Sequence, residues 1–259
     1  MNATPDLARL LNAELESKPP HDIITWAVET FWPDIAMSSS FQTQSLPLLH
    51  IVSQVAPQLP ILFLDTGYHF PETLAFRDQL VLEWKFNLQT VRAVMPRDEF
   101  VRQHGDDLYR KDPDLCCYIN KVEPMARAMK GLRAWISGIR RDQSATRTDI
   151  QVLERTPDGV LRIHPLATWT RKDVWQYVHD HHLPEHPLLS QGYLSIGCAP
   201  CTRPVQEGED ERAGRWAGQE KTECGLHTLL RTGTDTPTDY QAATPAQEPT
   251  AITGESHRG

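Results

Sequence analysis

The sequence predicts an α/β fold built on a mainly parallel sheet. Strand-like and helix-like segments alternate from residue 35 to residue 180, the order that βαβ units produce. Ile61-Leu62-Phe63-Leu64 is a continuous apolar run, as expected of a strand covered on both faces. Polar loops follow the predicted strands, where open parallel sheets bind their ligands.

The elements follow in order. Residues 1–20 are polar and contain Pro19-Pro20, which predicts a short helix and a linker. Ile23 to Thr30 has an amphipathic helical pattern. Ile35-Ala36-Met37 reads as a short strand, and Ser38-Ser39-Ser40-Phe41-Gln42-Thr43-Gln44-Ser45 as the loop after it. Leu46 to Val55 predicts a helix with Pro47 in its first turn, where proline is tolerated. The strand at Ile61–Leu64 ends in Asp65-Thr66-Gly67, and Pro71-Glu72-Thr73 opens the next helix. Asn87 to Val91 and Ala134 to Gly138 are further strands. Ile150–Glu154 and Val160–His164 alternate around Pro157-Asp158-Gly159, a hairpin pattern. Thr170 is placed to cap a helix containing Val174, Trp175, Tyr177 and Val178. This divides the chain into an N-terminal extension (1–20), an α/β domain (21–205), a loop-rich mobile segment (206–231) and a tail (232–259). The tail is rich in Thr, Pro and Ala, with few large apolar residues, and is expected to be disordered.

Composition narrows the class. The 259 residues are enough for one large domain, and 39% hydrophobic with 23% charged content fits a soluble globular enzyme. No stretch approaches the roughly 20 apolar residues of a membrane span. The start shows no basic-then-apolar leader pattern. A cytoplasmic protein with reduced cysteines is the expectation. A net charge of −8 argues against broad nucleic-acid binding. Basic residues nevertheless cluster at Arg140, Arg141 and Arg147, and again at Arg203, Arg212 and Arg215. An acidic chain with basic islands suits a small anionic ligand.

The five cysteines carry the most chemistry. Cys116 and Cys117 are adjacent, Cys198 and Cys201 form a C-x-x-C, and Cys224 stands alone in Glu-Cys-Gly-Leu-His. Two close pairs can close one metal or cluster site, which leaves a fifth thiol free to act as a nucleophile. Disulfides are disfavoured because adjacent cysteines are awkward partners. Adjacent side chains diverge by about 100° on a helix and about 180° on a strand. That favours an iron–sulfur cluster over structural zinc without deciding between them. On a helix Lys121 would share a face with Cys117, and a cation there lowers the cost of gathering thiolates. Beside Cys224, Glu223 disfavours and His227 favours the thiolate. Gly225 frees the backbone to move the sulfur in and out of a site.

Three strand-end loops complete the pattern. The hydroxyl-rich Ser38–Ser45 loop precedes a helix, whose first N–H groups bind phosphate. It lacks the Gly-Lys-Ser/Thr ending of a Walker A loop. Asp65-Thr66-Gly67-Tyr68 and Gly138-Ile139-Arg140-Arg141-Asp142-Gln143-Ser144 end the neighbouring strands. Together the three form an anion and nucleotide site.

Together these residues resemble the iron–sulfur branch of the phosphoadenylyl-sulfate reductase family, the assimilatory adenylyl-sulfate reductases. The resemblance rests on Cys116-Cys117, Cys198-Ala199-Pro200-Cys201 and Glu223-Cys224-Gly225-Leu226-His227. Leu64-Asp65-Thr66-Gly67-Tyr68, Ile139–Ser144, Gly214-Arg215-Trp216, His164-Pro165-Leu166 and His186-Pro187-Leu188 support it. It implies an adenine-nucleotide α-hydrolase-like (PP-loop) sheet flanked by helices, ending in a catalytic tail. Adenosine 5′-phosphosulfate is the implied substrate. Cys116, Cys117, Cys198 and Cys201 are implied ligands of a [4Fe-4S] cluster, and Cys224 the implied nucleophile. Ser38, Ser39 and Ser40 match the family's phosphate loop, and Lys121 a lysine between cluster and substrate. Arg140, Arg212 and Arg215 match basic positions around the anhydride. Reduced thioredoxin or glutaredoxin is the implied partner, and a homo-oligomer stays open. Two departures stand out. Tyr118-Ile119-Asn120-Lys121 is less basic than in many relatives, and the phosphate loop has serine where many have glycine.

Competing readings are a reductase for the 3′-phosphorylated nucleotide, an adenylating enzyme of the same fold, and a metal-stabilised nucleotide-binding or redox module.

Overall fold

The computed structural model describes residues 5–219, 221, 223, 225 and 226. Helices α1 (Pro5–Glu16) and α2 (Pro20–Phe31) lead into strand β1 (Ile35–Ser38). Then come α3 (Leu46–Val55), β2 (Pro60–Leu64), α4 (Pro71–Trp84) and β3 (Asn87–Val91). Short helices α5 (Arg97–His104), α6 (Leu108–Lys111), α7 (Pro113–Cys117) and α8 (Glu123–Ala128) precede β4 (Ala134–Ser137). β5 (Leu153–Arg155), β6 (Leu161–Ile163) and α9 (Arg171–Asp180) complete the regular elements.

The six-stranded sheet has the order β3-β2-β1-β4-β6-β5. All neighbours are parallel except the β5–β6 hairpin, where Arg155 pairs with Leu161. The order reverses between β1 and β4, which creates the crevice where such sheets bind ligands.

Alternation along each strand sends side chains to two cores. Ile35, Met37, Ile61, Phe63, Ala134 and Ile136 join the larger one, with buried residues of α2, α3, α4 and α9. Ala36, Leu62 and Trp135 face the other side, against Met125 of α8 and Met129. The apolar run of β2 is therefore explained by burial on both faces. Leu49 of α3 is fully buried in the larger core. Leu49→Ala should cost about 2–5 kcal/mol, read as a lower urea midpoint at unchanged slope.

The segment expected as an extension before residue 21 is helical and docked. Asn12 Nδ2 donates to the Leu153 carbonyl at 3.1 Å, and its Oδ1 accepts from Leu153 N at 2.8 Å. The tail 232–259 and much of 206–231 lie outside the described residues. No helix among the described residues is long and apolar enough to cross a membrane.

Residues 97–128 had no sequence assignment of their own. They form the short helices α5–α8, and Met95, Phe100, Leu108, Leu115, Cys116 and Ile119 make a third, separate core. Between α7 and α8 the chain makes a π-helical turn over Tyr118–Val122.

Candidate active site

A cavity of about 200 Å³ opens at the carboxyl ends of β1, β2 and β4. Ser38, Ser39 and Ser40 form one wall, and Ser137 and Gly138 another. Thr66 and His69 come from the loop after β2. The serine loop is fixed from below by Phe41, whose φ of 55° lies in the left-handed region, costly for a bulky residue. Its ring is fully buried and meets Phe63 and Phe86 edge-on at 5.7 and 6.2 Å. Gln42 Oε1 accepts from Ile196 N at 2.7 Å, and Gln44 Nε2 donates to the Leu194 carbonyl at 3.2 Å. These bonds bring the 195–198 segment over the sheet as the far wall.

Arg212, Arg215, Lys121 and Arg147 supply positive charge to this cavity. Arg215 lies over the Trp216 ring at 4.5 Å and donates to the Ile196 carbonyl at 3.2 Å. A Cβ on Gly197 would collide with its guanidinium, and one on Gly214 with the Arg203 carbonyl. The two glycines let the Gly214-Arg215-Trp216 strip fold back along the C-x-x-C, where Thr202 and Arg215 form an isolated β-bridge.

A second, smaller cavity lies beside the first. Cys116, Cys117, Cys198 and Cys201 all line it, with Tyr68, Asn120, Lys121 and Trp216 among its other walls. α7 delivers the adjacent pair; the Asp112 carboxylate caps it by accepting from Leu115 N at 2.9 Å. The C-x-x-C closes as a turn with Cys201 N on the Cys198 carbonyl at 2.9 Å. Asn120 Nδ2 approaches Cys116 Sγ at 3.7 Å, and Thr66 Oγ1 lies 3.4 Å from Cys198 Sγ. Lys121 and Cys198 line both cavities. Among the described residues no three Cys, His, Asp or Glu side chains close on one metal-holding point. The sulfurs share a cavity rather than a single centre.

The electrostatics of the four thiols differ. Burial pushes Cys116 up to about 12, reinforced by Cys117, Cys198 and Cys201 and only partly opposed by Lys121. Burial also raises Cys201, with Cys198 adding to it. Burial would raise Cys198 too, but Lys121, Thr66 and Arg215 outweigh it and the thiol is held below its usual value. A donor set of four sulfurs facing one small space needs positive charge to ionise together. Such a set fits a multi-iron group better than a lone cation.

Residues 34–204 match the family described as the phosphoadenosine phosphosulfate reductase domain. The chain belongs to this family. An adenosine 5′-phosphosulfate reductase of Streptomyces coelicolor is 44% identical over 85% of this chain and 93% of its own length. One of Chelativorans is 48% identical over 79% and 84%. A phosphoadenosine 5′-phosphosulfate reductase of Gloeobacter violaceus is 42% identical over 84% and 92%. The solved phosphoadenylyl-sulfate reductase of Candida auris, a phosphate complex, superposes with a TM-score of 0.69 at 30% identity. It spans 79% of this chain and 99% of that one. An FMN adenylyltransferase of Candida glabrata, at 16% identity and a TM-score of 0.53, shares the fold.

Within this reductase-family fold the sequence-derived residues fall into three groups. Ser38, Ser39, Ser40, Lys121, Arg212 and Arg215 all line the large cavity. The four paired cysteines meet in the small one. Arg140 does not line the cavity. It is completely buried, with Nε on Asp142 at 2.9 Å and Nη1 on Gln44 Oε1 at 3.2 Å. Its contact with the cavity wall runs through Gln44. Arg141 is turned away, with Nη1 on Glu16 at 2.5 Å. Asp65, expected at the crevice, is tied to Arg92 at 2.8 Å, while Thr66 takes the lining position.

Lys121 reaches the sulfurs by a different route from the α-helical one expected. The π-helical turn widens the repeat towards five residues, and Lys121 acts on both Cys116 and Cys198. Cys224 and His227 lie outside the described residues, but Glu223 and Leu226 on either side of Cys224 line the large cavity. Arg147, although part of a basic cluster in the sequence, was not among the expected site residues. Its only sequence signal is its place shortly after the β4 loop.

Proposed function

We propose that this chain reduces adenosine 5′-phosphosulfate to sulfite and AMP through an S-sulfonate on Cys224, with a protein dithiol as reductant. The observation that carries the reading is that Glu223 and Leu226, which flank Cys224 in the sequence, line the strand-end cavity. Family membership and the names of the relatives from Streptomyces and Chelativorans support the substrate.

The chemistry balances. The Cys224 thiolate attacks the sulfur of the sulfate group, the S–O bond to phosphate breaks, and AMP leaves with that electron pair. Arg212, Arg215 and the donors of the Ser38–Ser40 loop stabilise charge on the departing phosphate. A thiolate of reduced thioredoxin or glutaredoxin then attacks Cys224 Sγ and releases sulfite. The second thiol of the reductant resolves the mixed disulfide and frees Cys224. The dithiol loses two electrons, and sulfur passes from sulfate to sulfite. Cys116, Cys117, Cys198 and Cys201 would hold a [4Fe-4S] cluster. When bound, the cluster supplies a fixed electrostatic environment beside Lys121 and ties α7 to the 198–201 turn. Cys116, Cys117, Cys198 and Cys201 form no disulfide, which suits a cytoplasmic setting.

The test is a single turnover without reductant, with labelled adenosine 5′-phosphosulfate, followed by mass analysis of the Cys224 peptide. One sulfo group, about 80 Da, should appear on that thiol. No adduct, or an adduct on another residue, would overturn the mechanism. The Gloeobacter and Candida auris relatives carry the name of the 3′-phosphorylated substrate, so the same measurement with that nucleotide forms the second arm. Faster transfer from it would reassign the substrate but leave the thiol chemistry in place.

A further inference from the structure

The Glu223 carboxylate occupies an unusual position for a residue next to a nucleophile. Its side chain and that of Arg147 are each 8% exposed. Arg147 donates to it twice, from Nε at 3.1 Å and Nη2 at 2.8 Å. Arg212 Nη2 adds a third bond at 3.2 Å. Ser144 and Thr146 donate their hydroxyls at 3.2 and 3.3 Å. Arg147 is in turn braced by Gln143 Oε1 at 2.5 Å. Burial would raise the carboxyl, but Arg147 and Arg212 outweigh it and keep it ionised. A two-pronged arginine–carboxylate pair of this kind combines strength with fixed geometry.

Between described residues, the last backbone–backbone hydrogen bond runs from Gln219 N to the Trp216 carbonyl. Beyond it, Lys221 pairs with Asp114 of α7, and Leu226 packs on the core of Met125 and Met129. Glu223 is the described residue that precedes Cys224, and its partner lies 76 residues back and lines the same cavity.

We propose that Glu223 and Arg147 form a latch that fixes the chain beside Cys224 at the cavity wall, making both positioning residues for sulfo transfer. The importance of Cys224 rests on the function proposed above. The latch itself rests on the contacts alone. Breaking a buried pair leaves the other charge uncompensated, so loss of either partner should release the segment.

The test uses the full-length, cluster-loaded protein. Hydrogen exchange of the peptide spanning 217–226 should quicken roughly 10-fold or more in Glu223→Gln and in Arg147→Ala. Arg147→Lys keeps the charge but loses the fork, and should fall between them and the parent. The single-turnover rate at saturating nucleotide should drop about 10- to 100-fold, with the AMP affinity of Glu223→Gln, which keeps the cavity's arginines, within about 2-fold of the parent. The double variant should be no slower than either single, because both break one contact. Parental exchange in Glu223→Gln would overturn the proposal, as would additive losses in the double variant or a rate loss matched by lost AMP affinity. Faster exchange in a protein whose parent never forms the Cys224 adduct would uphold the latch and sink the proposed reaction instead.

Discussion

Cys224→Ser releases no sulfite and carries no sulfo adduct, while AMP binding and the iron content stay at parental levels. The expected loss is roughly 10³-fold or more, since a hydroxyl with no described activating base replaces a thiolate. The selectivity of the effect follows from the layout. Cys224 follows Glu223, which lines the large cavity, whereas Cys116, Cys117 and Cys201 line the small one and Lys121 and Cys198 lie between the two. Removing one sulfur on the nucleotide side should leave the small cavity untouched. Sulfite release and intact-mass measurement check the first half, and iron analysis with AMP titration the second. Substantial turnover in this variant would take Cys224 out of the mechanism.

Cys117→Ser is expected to have the opposite profile, with iron, sulfide and activity lost together. Anaerobically purified parent should hold about four irons and four sulfides per chain, and the variant close to none. The physical ground is the cost of the donor set. Burial, reinforced by its sulfur neighbours, pushes Cys116 up to about 12. Cys116 and Cys201, both raised, remain thiols unless compensating charge enters the space beside them. A serine at residue 117 removes one of four anionic donors from a site that needs all of them. Visible absorption and metal analysis read the outcome independently of turnover. An active, iron-free variant would show the metal to be dispensable, and one zinc without sulfide in the parent would favour the metal-stabilised module.

The strands were legible because their burial leaves a plain trace. Ile61–Leu64 is apolar throughout since helices cover both faces of β2, and Thr170 announces α9 with a capping box that the structure contains. α5–α8 were not legible. They are short and interrupted by Gly105, Pro113 and Pro124, and their apolar residues serve a separate small core instead of one continuous stripe. The cysteine spacing conveyed that four sulfurs belong together, and the fold accounts for how distant segments bring them there. Charge misled at Arg140. An arginine in a strand-end loop reads as a ligand contact, whereas here it is enclosed with Gln44 and Asp142. Arg147 was passed over for the complementary reason: its partner, Glu223, is remote in sequence. Nor could sequence alone reveal that two arginines bind the Glu223 carboxylate.

The wide turn at Tyr118–Val122 makes this part of the chain more sensitive to length than to composition. A π turn carries one more residue per hydrogen-bonded loop than an α turn. Deleting a residue there without a compensating change of winding would rotate all that follows by about 100°. Met125 would swing off the sheet and Lys121 away from the sulfurs, though neither had been altered. A one-codon deletion at this point should therefore do more harm than exchanging Tyr118 or Ile119 for another residue of similar bulk.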